Sequence, residues 1–211
     1  ATALVSKAPD VALDALAGFI SGGVLGGFSL VRSSISANKA ANNIIVDEDA
    51  YFEVIDKKTA SLMRASIAIG AITGGADNEM IERFTQLGSI LGISFQIRDD
   101  IFDYFKKDVG KPTGNDIREG KITLPLIYAL QHAPEAISAE MMEIIKSRDY
   151  SDDNISRLLT FSKEQGGIDY AYGKVNALIE NAEQMVSGFR LNEDMELLMR
   201  LFLSYLKDRR Y

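Results

Sequence analysis

The stretch from Gly88 to Asp103, GSILGISFQIRDDIFD, narrows the choice of fold more than any other part of the chain. Its apolar residues Ile90, Leu91, Ile93, Phe95, Ile97, Ile101 and Phe102 surround three aspartates, so the spacing predicts a largely buried helix that ends in carboxylates. A helix turns about 100° per residue. With Asp99 at the origin, Asp103 falls near 40°, Gln96 near 60° and Asp100 near 100°, all on one arc. Like charges on one face repel, and a helix needing only solubility intersperses Lys with Glu. Either the arc is a solvated acidic helix end, or something positive sits between the carboxylates. Buried, unpartnered carboxylates are costly. Mg²⁺ takes carboxylate, water and phosphate oxygens. The arc therefore points to a Mg²⁺ site for a phosphorylated ligand. The cationic residues that follow, Lys106, Lys107, Lys111 and Lys121 in a Gly/Pro-punctuated loop, are what a diphosphate needs.

Composition narrows the remaining classes. At 211 residues, 46% hydrophobic and 25% charged, the chain can build one globular domain. Only 4 prolines among many Ala, Leu, Ile, Glu and Met favour helix throughout. The net charge of −7 argues against nucleic-acid binding. The absence of cysteine excludes disulfides and thiolate metal sites, and is in keeping with a cytoplasmic location. The single histidine, His132, argues against His-based acid–base chemistry.

Along the chain, residues 2–7 read as a helix end closed by Pro9, and about 10–31 as an apolar, Gly-rich helix. The apolar run within it, Ala17 to Val31, is about 15 residues, too short to span a bilayer, which needs roughly 20. Its glycines suit either a subunit contact or ordinary burial. Residues 32–47 read as loop. A helix over 47–72 carries Lys57, Lys58 and Thr59 within an apolar segment, where a lysine needs a partner or must snorkel. Gly74–Gly75 break it, and Asp77 caps the helix of the acidic arc. Helices are predicted from Ile122 to Leu130, Pro134 to Lys146, Ser151 or Asp152 to Gln165, Ile168 to Phe189, and from the Asn192 cap to Leu206. No strand hairpin or internal repeat is visible. The fold class is all-α, with residues 1–211 forming a single helical domain. Gly88 and Gly92 lie within about 20° of Asp99 on the wheel, leaving either room beneath the site or close helix packing.

Three ordered motifs carry a resemblance. They are Phe95-Gln96-Ile-Arg-Asp99-Asp100-Ile-Phe-Asp103; then Gly110-Lys111-Pro, Asp116 and Gly120-Lys121-Ile-Thr-Leu-Pro125; and, upstream, Tyr51 to Leu62 with its Lys58-Thr59-Ala60 core. Together they resemble the trans-polyprenyl diphosphate synthases of octaprenyl or farnesyl type, strongly over residues 48–131. The resemblance implies a bundle of mostly antiparallel helices around a central cavity, a homodimer, and no transmembrane segment. It implies a prenyltransferase that joins isopentenyl diphosphate to an allylic diphosphate with Mg²⁺. Asp99, Asp100 and Asp103 would bind the metal, with Asp99 foremost. Lys58 and Lys111 would contact the allylic diphosphate, and Lys121 would lie near isopentenyl diphosphate. Thr59, Gln96 and the Lys58 carbonyl would face the allylic cation, and Phe95 would shape the pocket. Lys207, Arg209 and Arg210 would either fold over the substrate or fray. The family's first Asp-rich motif and its N-terminal basic residues have no counterpart in this sequence, so the chain reads as the C-terminal two-thirds of such a fold. On that pattern it is either part of a longer enzyme or a non-catalytic partner subunit of a heteromeric prenyl synthase.

Overall fold

A computed structural model describes residues 47–105, 113–189 and 191–208, and every regular element among them is helical. The order is α1 (Glu48–Ile55), a π-helical segment (Asp56–Ala60), α2 (Ser61–Thr73), α3 (Asn78–Phe102), α4 (Asn115–Arg118), α5 (Leu124–His132), α6 (Glu135–Ser147), α7 (Asp152–Glu164), α8 (Gly167–Ser187) and α9 (Glu193–Asp208). None of these helices is long and apolar enough to cross a membrane. The Gly-rich stretch 18–27, Lys111 and the basic pair Arg209–Arg210 lie outside the described residues.

The described residues fall into two compact units, one of Ile55–Gly92 and one that joins residues 47–54 to those from Ile93 onward. The second unit is built around α5. This helix buries Leu124, Pro125, Leu126, Ile127, Ala129 and Leu130, so it is apolar on nearly every side and must be covered on every side. Helices α6, α7 and α8 pack against it. Pro125 sits in its first turn, where a missing N–H costs nothing. α7 turns Ile155, Leu158, Leu159 and Ser162 inward at helical spacing. α8 does the same with Ile168, Ala171, Val175, Ile179, Ala182 and Val186. α8 starts hard against α5: a Cβ on Gly167 would lie 2.0 Å from the Pro125 carbonyl oxygen.

Most helix limits follow the sequence reading within a few residues, and the caps explain why. Asp77 accepts the Met80 N–H at 2.8 Å, and Asn192 accepts the Met195 N–H at 2.8 Å. Ser151 occupies the N-cap position of α7 without a capping hydrogen bond from its side chain. The predicted helix over 47–72 is interrupted by the π-helical turn, and α4 is an extra short helix inside the predicted loop.

Helix α1 is pinned to the second unit by an acid. Glu48 accepts the Tyr170 hydroxyl at 2.7 Å and pairs with the Lys174 ammonium at 2.8 Å. Tyr170 stacks on Tyr128, which stacks on His132. Partial burial pushes the Glu48 carboxyl up, but the hydrogen bonds from Lys174 and Tyr170 outweigh it and hold it below the ordinary value of 4.5. A carboxylate whose folded pKa is depressed contributes stability above its unfolded pKa and loses it as pH falls through the folded value. Glu48→Gln is therefore expected to lower the urea midpoint at pH 7. The difference from wild type should shrink as pH falls below the ordinary glutamate range. An equal difference at pH 7 and pH 3 would show that the charge of Glu48 is not what counts.

Candidate functional site

The three aspartates of the arc leave one stretch of α3 and its C-terminal turn but meet three different surroundings. Asp99 is exposed and has no hydrogen-bonding or charged partner among the described residues. It lines a small pocket with Phe95, Arg98, Phe102, Tyr205 and Leu206. Phe95 is 39% exposed.

Asp100 points the other way and is 5% exposed. One of its oxygens accepts the Tyr51 hydroxyl at 2.7 Å, and the other accepts the Gln96 amide N–H at 2.8 Å. Burial, then the negative charge of Asp100, push the Tyr51 phenol well above its ordinary pKa, so it remains a donor. Gln96, 7% exposed, thus gives its amide nitrogen to a carboxylate of the same helix.

Asp103 is half-buried and acts as a clasp. Its two oxygens accept the N–H groups of Asn115 and Asp116 at 3.0 and 2.8 Å, and its own carbonyl accepts the Gly114 N–H at 2.9 Å. Those N–H groups head α4, which has no capping side chain from Gly114. Gly114 makes the turn with φ +75°, a conformation that a Cβ would strain. Further on, Lys121 is exposed and reaches Asp116 at 3.0 Å and Glu119 at 2.6 Å. Desolvation lowers the Lys121 pKa, but the hydrogen bonds to Glu119 and Asp116 more than reverse it, so the ammonium stays charged.

Among the described residues, no group of three or more His, Cys, Asp or Glu is gathered closely enough to hold a metal ion. Asp99 and Asp100 lie on α3 and Asp103 in the turn after it, and the three carboxylates have different surroundings. Mg²⁺ that keeps waters and substrate phosphate oxygens needs only one or two protein carboxylates. Asp99 offers one, exposed and without a partner among the described residues, and on that ground the donors present fit the ion at Asp99.

The first unit holds Lys58 and Thr59 on the π-helical segment Asp56–Ala60, with Lys58 exposed and Thr59 half-buried. A π turn shifts the backbone ladder by one residue, and such turns are frequent at functional sites. Two side chains support it. The Ser61 hydroxyl donates to the Lys57 carbonyl at 2.7 Å. The Arg64 guanidinium grips Asp56 through both nitrogens and also donates to Ser89 at 3.1 Å. The hydrogen bond to Asp56 raises the Arg64 pKa further, so this fork is permanently charged.

Gly88 and Gly92 belong to this support. A Cβ at Gly92 would lie 2.5 Å from Ala60 Cα, and one at Gly88 would lie 2.9 Å from Arg64 Cα. The two glycines seat α3 against the π segment and α2. The alternative of open space for a hydrocarbon beneath the aspartates is thereby corrected, because backbone occupies it.

Four contributors escaped the sequence reading. Tyr51 looked like one more apolar helix position. Arg98, 4% exposed, donates to the carbonyls of Leu206 and Lys207 at the end of α9, which places that helix end against the Asp99 pocket. Arg64 and Asp56 are eight residues apart, which is no recognisable helical pairing.

Comparison with known proteins gives a consistent picture. A family model described as polyprenyl synthetase matches residues 30–161. The chain is 33% identical over 167 residues to geranylfarnesyl diphosphate synthase of Aeropyrum pernix, covering 78% of this chain and 51% of that protein. It is 32% identical over 163 residues to heptaprenyl diphosphate synthase component 2 of Geobacillus stearothermophilus, covering 76% and 49%. Among solved structures, geranylgeranyl pyrophosphate synthase from Bacteroides thetaiotaomicron superposes with a TM-score of 0.76 at 35% identity, over 88% of this chain and 60% of that one. The chain thus spans about half the length of the curated relatives it matches.

Proposed function

Because this chain belongs to the polyprenyl synthetase family, we propose that the intact protein is a trans-prenyltransferase that lengthens an allylic diphosphate by condensing it with isopentenyl diphosphate. One observation carries this reading above the others. Asp99 is an exposed carboxylate with no partner among the described residues, and its two neighbouring acids are held in place by hydrogen bonds.

The residues divide the work as follows. Asp99 would hold Mg²⁺, with Asp100 and Asp103 steadying the turn that carries it. When bound, the ion supplies positive charge against the negative charge that develops on the diphosphate leaving group. As the resemblance implies, Lys58 and Lys111 would contact the allylic diphosphate, and their ammonium groups would offset its charge. Lys121, already charged, exchanges Asp116 and Glu119 for the diphosphate of the isopentenyl substrate. The Thr59 hydroxyl and the Lys58 carbonyl, both on the π turn, supply dipoles that stabilise an allylic cation with less tendency to capture it than water has. Gln96 contributes through Asp100. Phe95 lines the pocket at Asp99 and helps to shape it. The proton lost at the end passes to the departing diphosphate, which suits a site built without histidine. We place the protein in the cytoplasm as a homodimer. A second reading, a partner subunit of a heteromeric prenyl synthase, draws on the likeness to a relative named as a component.

The test is to incubate the intact protein with Mg²⁺, labelled isopentenyl diphosphate and farnesyl diphosphate, and to size the products. Lengthened polyprenyl diphosphates that vanish on chelation are expected. Product formed only after a second subunit is added would favour the heteromeric reading. Release of free diphosphate without chain growth would overturn both.

A further inference from the structure

We infer that Tyr51 is a positioning residue whose hydrogen bond to Asp100 fixes the turn of α3 that presents Asp99. The inference rests on the reading of Asp99 as the metal-holding carboxylate.

The geometry separates Tyr51 from the other donor to Asp100. Gln96 lies four residues before Asp100 on the same helix, so it moves with the helix and cannot set its rotation. Tyr51 comes from α1, 49 residues away in sequence, and its contact is buried at both ends, with Tyr51 8% exposed and Asp100 5% exposed. A buried carboxylate keeps its donors because losing one leaves charge uncompensated.

Tyr51 is itself held. Three residues earlier on α1, Glu48 is fixed by Tyr170 and Lys174 of α8. The two contacts mirror each other: α1 gives a phenol to the carboxylate of α3 and takes a phenol on its own carboxylate from α8. Together they run from α8 through α1 to α3 inside one unit. Asp99 precedes Asp100 directly, about 100° around the helix. Any rotation that loosens Asp100 therefore swings Asp99 by the same angle. Metal ligands are sensitive to such outer contacts, whose removal typically weakens binding about 10–100-fold.

The experiment uses the intact protein, Mn²⁺ and inorganic pyrophosphate, with free Mn²⁺ followed by electron paramagnetic resonance. Y51F keeps the ring and removes only the donor, and circular dichroism verifies its fold at the assay temperature. It should bind Mn²⁺ about tenfold more weakly than wild type. Products should keep their length, and the KM for isopentenyl diphosphate should stay unchanged. D100N, whose amide offers one acceptor oxygen where the carboxylate offers two, should lose a similar amount. The loss in the Y51F/D100N double variant should fall short of the sum of the two single losses, since D100N also disturbs the Gln96 contact but shares the Tyr51 contact with Y51F. Unchanged Mn²⁺ affinity in Y51F beside a binding wild type overturns the role of Tyr51 alone, as do losses that add in the double variant. A wild type that holds no Mn²⁺ with pyrophosphate overturns the reading of Asp99 and this inference with it.

Discussion

Asp99→Ala in the intact protein is expected to lower kcat roughly 10²–10³-fold while leaving the thermal midpoint almost unmoved. The two halves of this expectation have separate causes. Asp99 is exposed and makes no hydrogen bond or ion pair with the described residues, so truncating it removes nothing that holds the fold. Surface changes of that kind typically stay within about 0.5 kcal/mol. Catalysis is another matter: in the proposed reaction a leaving diphosphate would gather negative charge as the allylic bond breaks, and loss of Asp99 would remove a holder of the charge that offsets it. A 10³-fold loss corresponds to about 4 kcal/mol of barrier. Asp103→Ala supplies the contrast. It removes the acceptor for the Asn115 and Asp116 N–H groups and should cost about 0.5–2 kcal/mol of stability, as lost helix caps do. Its kinetic defect should then follow from a loosened loop base. Steady-state kinetics and thermal melts on both variants separate the two roles. An Asp99→Ala protein that keeps more than a tenth of its kcat would remove Asp99 from the centre of the site.

How much of this was visible in the sequence depends on how far each residue reaches for its partner. The caps at Asp77 and Asn192 act on an N–H three residues away, and both were legible. α5 announced itself by being apolar on all sides, and its proline marked its first turn. The arc of Asp99, Asp100 and Asp103 was drawn from helix geometry alone, and α3 ends at Phe102, so Asp103 falls in the turn beyond it. What the wheel could not supply was the fate of each carboxylate. The phenol that claims Asp100 is 49 residues upstream, and the N–H groups that claim Asp103 lie 12 and 13 residues downstream. Arg98 finds its carbonyls 108 and 109 residues later. Pairings at such distances depend on tertiary packing, which a single sequence does not encode as a pattern. The π turn was hidden for a different reason. It differs from α-helix by one step of hydrogen bonding, and no residue type marks it. The end of α6 was equally unmarked, because Arg148 takes the left-handed conformation, φ 56°, where glycine is the usual signal.

Gly92→Ala is expected to do what a methyl group rarely does, damaging stability and catalysis together. The new Cβ would fall 2.5 Å from Ala60 Cα and 2.9 Å from Ala60 Cβ, and Ala60 has no exposed surface. Backbone at that range cannot rotate away as a flexible side chain can, so either α3 or the π segment must shift. Overpacking of this kind costs about 1–3 kcal/mol. The π segment carries Lys58 and Thr59 immediately before Ala60, so a shift there misplaces the ammonium and hydroxyl groups assigned to the diphosphate and the cation. Misplacement of about 1 Å can cost roughly 10²-fold in rate. Gly173→Ala is the matched comparison. Gly173 sits mid-helix in α8 with nothing within 4 Å of its added Cβ, so the same change should stabilise by about 0.5–1 kcal/mol and leave kinetics alone. Opposite signs for two identical substitutions would show that the glycine of α3 serves close packing rather than backbone freedom. An active Gly92→Ala protein of wild-type stability that makes products of altered length would instead mean that the growing hydrocarbon, and not the backbone of Ala60, fills the space beside that glycine.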